Sequence, residues 1–114
     1  MRIVMLGTGY VGLVSGACFA EFGMDVVCVD SDGEKIARLQ QGEIPIYEPG
    51  LEELVQKNSK AKTLSFTTDL KAAMVGAEAV FIAVGTPSRR GDGHADLSYV
   101  YQAAKDIAAN ITQY

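Results

Sequence analysis

The feature that most narrows the fold of this chain lies at its start. The short apolar run Arg2-Ile3-Val4-Met5-Leu6 is interrupted by Gly7-Thr8-Gly9-Tyr10-Val11-Gly12, then followed by a helix-like stretch and a second apolar run, Val26-Val27-Cys28-Val29, that ends in Asp30. The first run is too short for a helix and rich in branched or bulky apolar residues, so it predicts a strand buried on both faces. From Tyr10 to Phe22 the residues Val11, Val14, Ala17, Cys18 and Phe22 recur at helical spacing, and Gly23 supplies a stop. Strand, glycine turn, helix, strand and terminal acid, with Asp30 eighteen positions beyond Gly12, have the spacing of a dinucleotide-binding βαβ unit.

Each residue type in that unit has a physical task. Gly7 permits the tight turn, Gly9 leaves no Cβ between a pyrophosphate and the backbone, and Gly12 lets the helix approach the strand closely. The N–H groups at the helix start, carrying roughly half a unit of positive charge, then offer a phosphate site without a lysine. Asp30 can accept hydrogen bonds from an adenosine ribose and repels a 2′-phosphate. Because Ser31 rather than an arginine follows it, NAD is expected over NADP.

At 114 residues the chain makes one domain. Its net charge of −4, with no basic cluster beyond Arg89-Arg90, argues against a nucleic-acid footprint, and no apolar stretch approaches membrane length. The expected location is cytoplasmic, since no secretory signal precedes the first strand. Cys18 and Cys28 read as small core residues, Cys18 on the inner face of the first helix. Together with the lone His94 they give no metal-ligand spacing.

Further along, Ser31 to Glu34 has the form of a capping box opening a helix over Ile36, Ala37 and Leu39, closed by Gly42. Lys35 falls in its first turn, where a cation opposes the helix dipole; it is either a binding group or a solvated lysine. The segment from Gly42 to Leu51 holds two prolines and is a shaped connection, with Pro49 suited to the first position of a short helix over Leu51, Leu54 and Val55. Asn58 to Lys62 is polar, and Thr63 to Thr67 reads as a half-exposed edge strand. Asp69 caps a helix ended by Gly76, and the continuously apolar Ala79 to Val84 suits a strand inside a sheet. A charged, glycine-rich stretch from Ser88 to Asp96 follows, then a helix reaching about Ala109.

These elements predict an α/β, Rossmann-like, partial doubly wound parallel sheet of about four strands in the order 3-2-1-4. The carboxyl ends of strands 1 and 4 then flank the switch point, which sets Thr86 opposite the glycine turn. Thr86 either reaches the cofactor's ribose or phosphate or, with Pro87, shapes a loop.

Beyond the glycine turn, the stretches GTGYVGLVSG at Gly7 to Gly16, Val29-Asp30, Lys35, GEIPIYEPGLEEL at Gly42 to Leu54, VGTP at Val84 to Pro87, and the following DG and ADLSYV resemble the nucleotide-sugar 6-dehydrogenases of the UDP-glucose/GDP-mannose dehydrogenase family. The likeness covers nearly the whole chain. It implies two NAD-dependent oxidations of a sugar C6 alcohol to a carboxylate through an enzyme-bound thioester, with UDP-glucose as the expected UDP-sugar substrate and GDP-mannose or a UDP-amino sugar as the alternatives. It also implies main-chain contacts to the cofactor from Tyr10 and Val11, a ribose site from Asp30 and Lys35, and Thr86 near the nicotinamide. Glu48 receives no role.

Family members are several times longer, and neither cysteine here matches their catalytic one. Residues 1 to 114 are therefore expected to form the N-terminal NAD-binding domain, truncated, with no catalytic residues and with the sugar-nucleotide portion elsewhere. Such a piece should bind NAD weakly and be inactive alone. With no fifth strand, Ala79 to Val84 becomes an unprotected edge through which self-association is expected. A non-catalytic NAD-sensing module and an adenosine-binding methyltransferase are the rival classes. The first needs neither PIYEPGL nor VGTP, and the second is disfavoured by the helix-spaced third glycine.

Overall fold

The computed structural model describes residues 1–44, 48–84 and 98–110. Its elements, in order, are β1 (Arg2–Leu6), α1 (Tyr10–Glu21), β2 (Asp25–Val29), α2 (Gly33–Gln40), α3 (Leu51–Lys60), β3 (Leu64–Thr67), α4 (Leu70–Met74), β4 (Ala79–Ile82) and α5 (Ser98–Asn110). The strands form one parallel sheet in the order β3-β2-β1-β4, as the alternation of strands and helices predicts. Register is set by the apolar runs themselves: Ile3 lies opposite Val26 and Ala79, and Val26 opposite Leu64.

Strand alternation sends side chains to two cores. Ile3, Met5, Val26, Cys28, Leu64 and Phe66 meet Leu13, Ala17 and Ala20 of α1, Ile36 and Leu39 of α2, and Leu51 and Val55 of α3 on one face. Val4, Val27 and Val29 meet Ala73 and Met74 of α4 on the other, with Ile107 of α5 packed against them. The chain winds outward from β1 to β3 with helices on the first face, then returns across β1 to β4 with helices on the second. That reversal opens a crevice between the carboxyl ends of β1 and β4.

Several local expectations are corrected. Cys18 is exposed, Val11 is exposed, and Phe22 is 80% exposed at the helix end, so these three do not mark the inner face of α1, while Ala17 does. The docking stripe is Gly12, Leu13, Gly16, Ala17 and Ala20, because a helix lying close on a sheet needs small residues at the contact. At α2 the cap is Asp32, whose carboxylate accepts from the Lys35 N–H at 3.2 Å, rather than Ser31. Pro49 lies before α3, which is capped by Gly50 in the left-handed region at φ +82°. The first residues of the polar stretch from Asn58 belong to α3, which continues to Lys60 and buries Asn58. Asp69 does cap α4, accepting from the Ala72 N–H at 3.1 Å. Among the described residues β4 is an edge strand, with Phe81 43% and Ile82 40% exposed, rather than an interior one.

Candidate functional site

The glycine turn is built where β1 hands over to α1. Gly7 donates to the Val29 carbonyl at 2.7 Å, extending the β1–β2 ladder by one residue, and then adopts φ +111°. A Cβ at Gly7 would lie 2.5 Å from the Ala83 carbonyl oxygen, and one at Gly12 would run into the Gly7 carbonyl oxygen. These two positions therefore require glycine for conformation and for close approach, respectively. Gly9 differs: among the described residues nothing stands within 4 Å of where its Cβ would be. The open space on that side is the room a ligand's phosphates need.

Gly9 is also the N-cap of α1, with no side chain capping it, and the first helical bond is Leu13 N–H to the Gly9 carbonyl at 2.9 Å. The N–H groups of Tyr10, Val11 and Gly12 precede that bond and have no partner within the helix. No acidic residue occupies the first turn to neutralise the dipole. The side chains of Tyr10 and Val11 are exposed, so what these residues present toward the turn is main chain. The Tyr10 hydroxyl donates to Glu48 Oε2 at 3.0 Å, which raises the phenol's pKa above its ordinary value, chiefly through that hydrogen bond.

Asp30 follows β2 at the neighbouring strand end. Its Oδ2 accepts from the Thr8 N–H at 3.0 Å and the Thr8 hydroxyl at 2.7 Å, while Oδ1 accepts from the Asp32 N–H at 3.0 Å. The Lys35 ammonium lies 4.0 Å from Oδ2. Burial pushes the Asp30 carboxyl up, but the Asp32 N–H, the two Thr8 donors and Lys35 together outweigh it and hold the acid below its ordinary range. Asp30 is thus an anion at neutral pH.

An open cleft of about 850 Å³ runs along these groups. Its walls are the turn from Gly7 to Val11, Val29 to Ser31 with Lys35, Ile82 to Val84, and Gln102, Ala103 and Asp106 of α5. Of the residues singled out from sequence, Gly7, Gly9, Tyr10, Val11, Asp30 and Lys35 line it, and Gly12 shapes the turn from behind. Thr86 lies outside the described residues. Thr8, Gln102 and Asp106 were not anticipated. Thr8 resembles an ordinary turn residue in sequence, and the α5 pair is distinguished only by i, i+4 spacing, with Gln102 Nε2 donating to Asp106 at 2.9 Å.

Cys28 does not line the cleft. Cys28 is buried beneath α1, and burial pushes its thiol up to about 12. Among the described residues no cluster of three metal-ligating side chains exists, and no helix is long and apolar enough to cross a membrane.

A glycine turn with unpartnered helix N–H groups, an ionised strand-end acid and a crevice at the switch point define a dinucleotide-binding α/β domain. The chain belongs to the UDP-glucose/GDP-mannose dehydrogenase family, whose NAD-binding-domain model matches residues 1–114. NAD is accordingly the cofactor of this domain. It is 66% identical over 97% of its length to a UDP-glucose 6-dehydrogenase of Rhizobium meliloti and 52% identical over 99% to the Bacillus subtilis enzyme TuaD. Among solved structures, GDP-mannose dehydrogenase from Pseudomonas aeruginosa superposes with a TM-score of 0.89 at 43% identity over 94% of this chain, and the UDP-D-ManNAc dehydrogenase of Pyrococcus horikoshii with 0.89 at 34% over 97%. In each case the chain spans about a quarter of the relative's length.

Proposed function

We propose that residues 1–114 serve as the N-terminal NAD-binding domain of a dehydrogenase that oxidises UDP-glucose to UDP-glucuronate in two NAD-dependent steps. The observation that carries the cofactor assignment is the meeting of the α1 N-terminus with the Asp30 carboxylate in one cleft. In this reading Gly7, Gly9 and Gly12 form the cradle, and the Tyr10 and Val11 N–H groups receive the pyrophosphate. Asp30 and Lys35 hold the adenosine ribose, and Thr86 stands toward the nicotinamide. When bound, NAD supplies the hydride acceptor; this chain's residues bind and orient it.

UDP-glucose as substrate is supported by the 66% and 52% identity to UDP-glucose 6-dehydrogenases; among solved structures a GDP-mannose dehydrogenase and a UDP-glucose dehydrogenase stand level at 43% and 42% identity, which keeps GDP-mannose as the alternative. The sugar pocket and catalytic machinery are assigned to the remaining three quarters of such an enzyme, so the chain alone is expected to bind NAD weakly and to turn nothing over. Calorimetric titration tests the cofactor site. Asp30→Ala should weaken NAD binding roughly tenfold, the worth of one charge-assisted hydrogen bond. Equal affinity would remove Asp30 from the site.

The exposed β4 edge supports a second proposal, that isolated chains associate through it. Phe81 stacks on Phe19 with ring centroids 5.4 Å apart, so its partly exposed ring extends an apolar surface onto α1. Light scattering should show growing mass with concentration, suppressed in Ile82→Lys. A monomer at every concentration would contradict it.

A further inference from the structure

Thr8 is the buried polar residue of the glycine turn. Turn residues between two glycines ordinarily face solvent, yet this one is fully enclosed and spends both of its donors on a single oxygen, Asp30 Oδ2. A carboxylate offers about four lone-pair sites. Thr8 occupies two on Oδ2, the Asp32 N–H takes one on Oδ1, and one site on Oδ1 is left. Two donors from one residue fix the plane of the carboxyl group as well as its position.

We propose that Thr8 is a positioning and specificity-determining residue: by clamping Asp30 Oδ2 through its amide and hydroxyl, it turns Oδ1 toward the ribose diol and keeps a fixed anion where a 2′-phosphate would have to sit. This rests on the reading that Asp30 holds the adenosine ribose. The backbone donor survives any substitution, so the hydroxyl is the part that selection at this position controls. Without it the carboxylate is free to rotate away from the diol and toward Lys35, which approaches Oδ2 from α2.

The experiment compares Thr8→Val, which keeps the shape and removes the hydroxyl, with Thr8→Ser, which keeps the hydroxyl. NAD and NADP are titrated calorimetrically into each chain, and the Asp30 carboxyl is followed by carbon NMR as pH falls. Thr8→Val should narrow the preference for NAD over NADP about tenfold, the scale of one charge-assisted hydrogen bond. It should also move the Asp30 titration upward, since the lost hydroxyl is one of the donors that hold it down. The charged groups around that titration are Asp32 at the N-cap of α2, Lys35 on α2 and, along the same cleft, Asp106 on α5, and none is altered. Thr8→Ser should restore both readouts. Thermal melts identify a misfolded valine variant; Thr8→Ala then replaces it, with the same expectations.

Unchanged preference and titration in a folded hydroxyl-free variant overturn the proposal. So does a serine variant that behaves like valine. If Asp30→Ala itself leaves NAD affinity unchanged, the ribose reading falls first; if it weakens NAD while Thr8→Val does not alter the preference, only the role of Thr8 falls.

Discussion

The two ends of α1 carry polar clusters of similar composition and opposite character. At its start, Thr8, Asp30 and Lys35 border an open cleft, with the Asp32 N–H bonded to Asp30 behind them. At its end, Glu21 meets Lys57 at 2.8 Å and Asn58 at 2.9 Å, and Asn58 in turn donates to the Leu54 carbonyl and accepts from the Thr63 hydroxyl at 2.9 Å. The second cluster closes on itself. Its buried amide ties α1, α3 and the entry to β3 together, and both Asn58 amide hydrogens and the Thr63 hydroxyl are consumed within it. In the first, the helix N–H groups and one carboxylate site face the cleft. Polar side chains at the amino ends of the strands hold the fold; those at the carboxyl ends hold it and keep capacity for a ligand.

The largest way to break this contrast is at the turn. Gly12→Val drives a side chain into the Gly7 carbonyl, which should abolish detectable NAD binding and destabilise the chain by about 3 kcal/mol, the upper range for overpacking. Calorimetry and denaturant unfolding measure the two effects. Next, Asn58→Ala leaves the Thr63 hydroxyl and Glu21 each short of a partner at the closed end. It should cost about 2 kcal/mol of stability, read from urea midpoints, while NAD affinity in the folded chain stays within twofold. The smallest effect belongs to Lys57→Ala, whose ammonium is largely exposed; unfolding free energy should change by less than about 0.5 kcal/mol.

pH sharpens the same comparison, because both clusters centre on a carboxylate held below its ordinary range. At Glu21 the Lys57 and Asn58 hydrogen bonds are the main cause; at Asp30 the donors must first overcome burial. For either acid, a depressed folded pKa means stability that is fully present above the ordinary carboxylate value of about 4 and lost as pH falls through the folded value. Only Asp30 is expected to carry NAD affinity down with it. Acid titration of NAD binding in Asp30→Asn, against Glu21→Gln, separates them: the first should lose affinity at neutral pH and flatten the acid limb, the second should change neither.

How much of this was legible in the sequence follows the range of the interactions. The strand–turn–helix–strand order, the sheet order and the placement of Asp30 rest on local periodicity and glycine spacing, and they stand in the structure. On α1 the helical spacing places Ala17 correctly but Val11, Cys18 and Phe22 wrongly, because these are more hydrophobic than Gly12 and Gly16, whereas close packing on a sheet selects for size. Thr8 was passed over because its partner lies 22 positions away, and a threonine between glycines looks like any turn residue. Asn58, in a polar stretch, gives no local sign of its burial either. Its helix is held by partners on α1 and β3 that no local pattern announces.

The central claim is that the carboxyl end of this sheet is a ligand site and the amino end is not. Backbone amide NMR of the chain titrated with NAD tests it most directly. The account predicts shifts at Thr8, Tyr10, Val11, Gly12, Asp30 and Ser31, with Glu21, Lys57, Asn58 and Thr63 unmoved. Shifts centred on the Glu21–Asn58 end, or none at the glycine turn with NAD in millimolar excess, would contradict it.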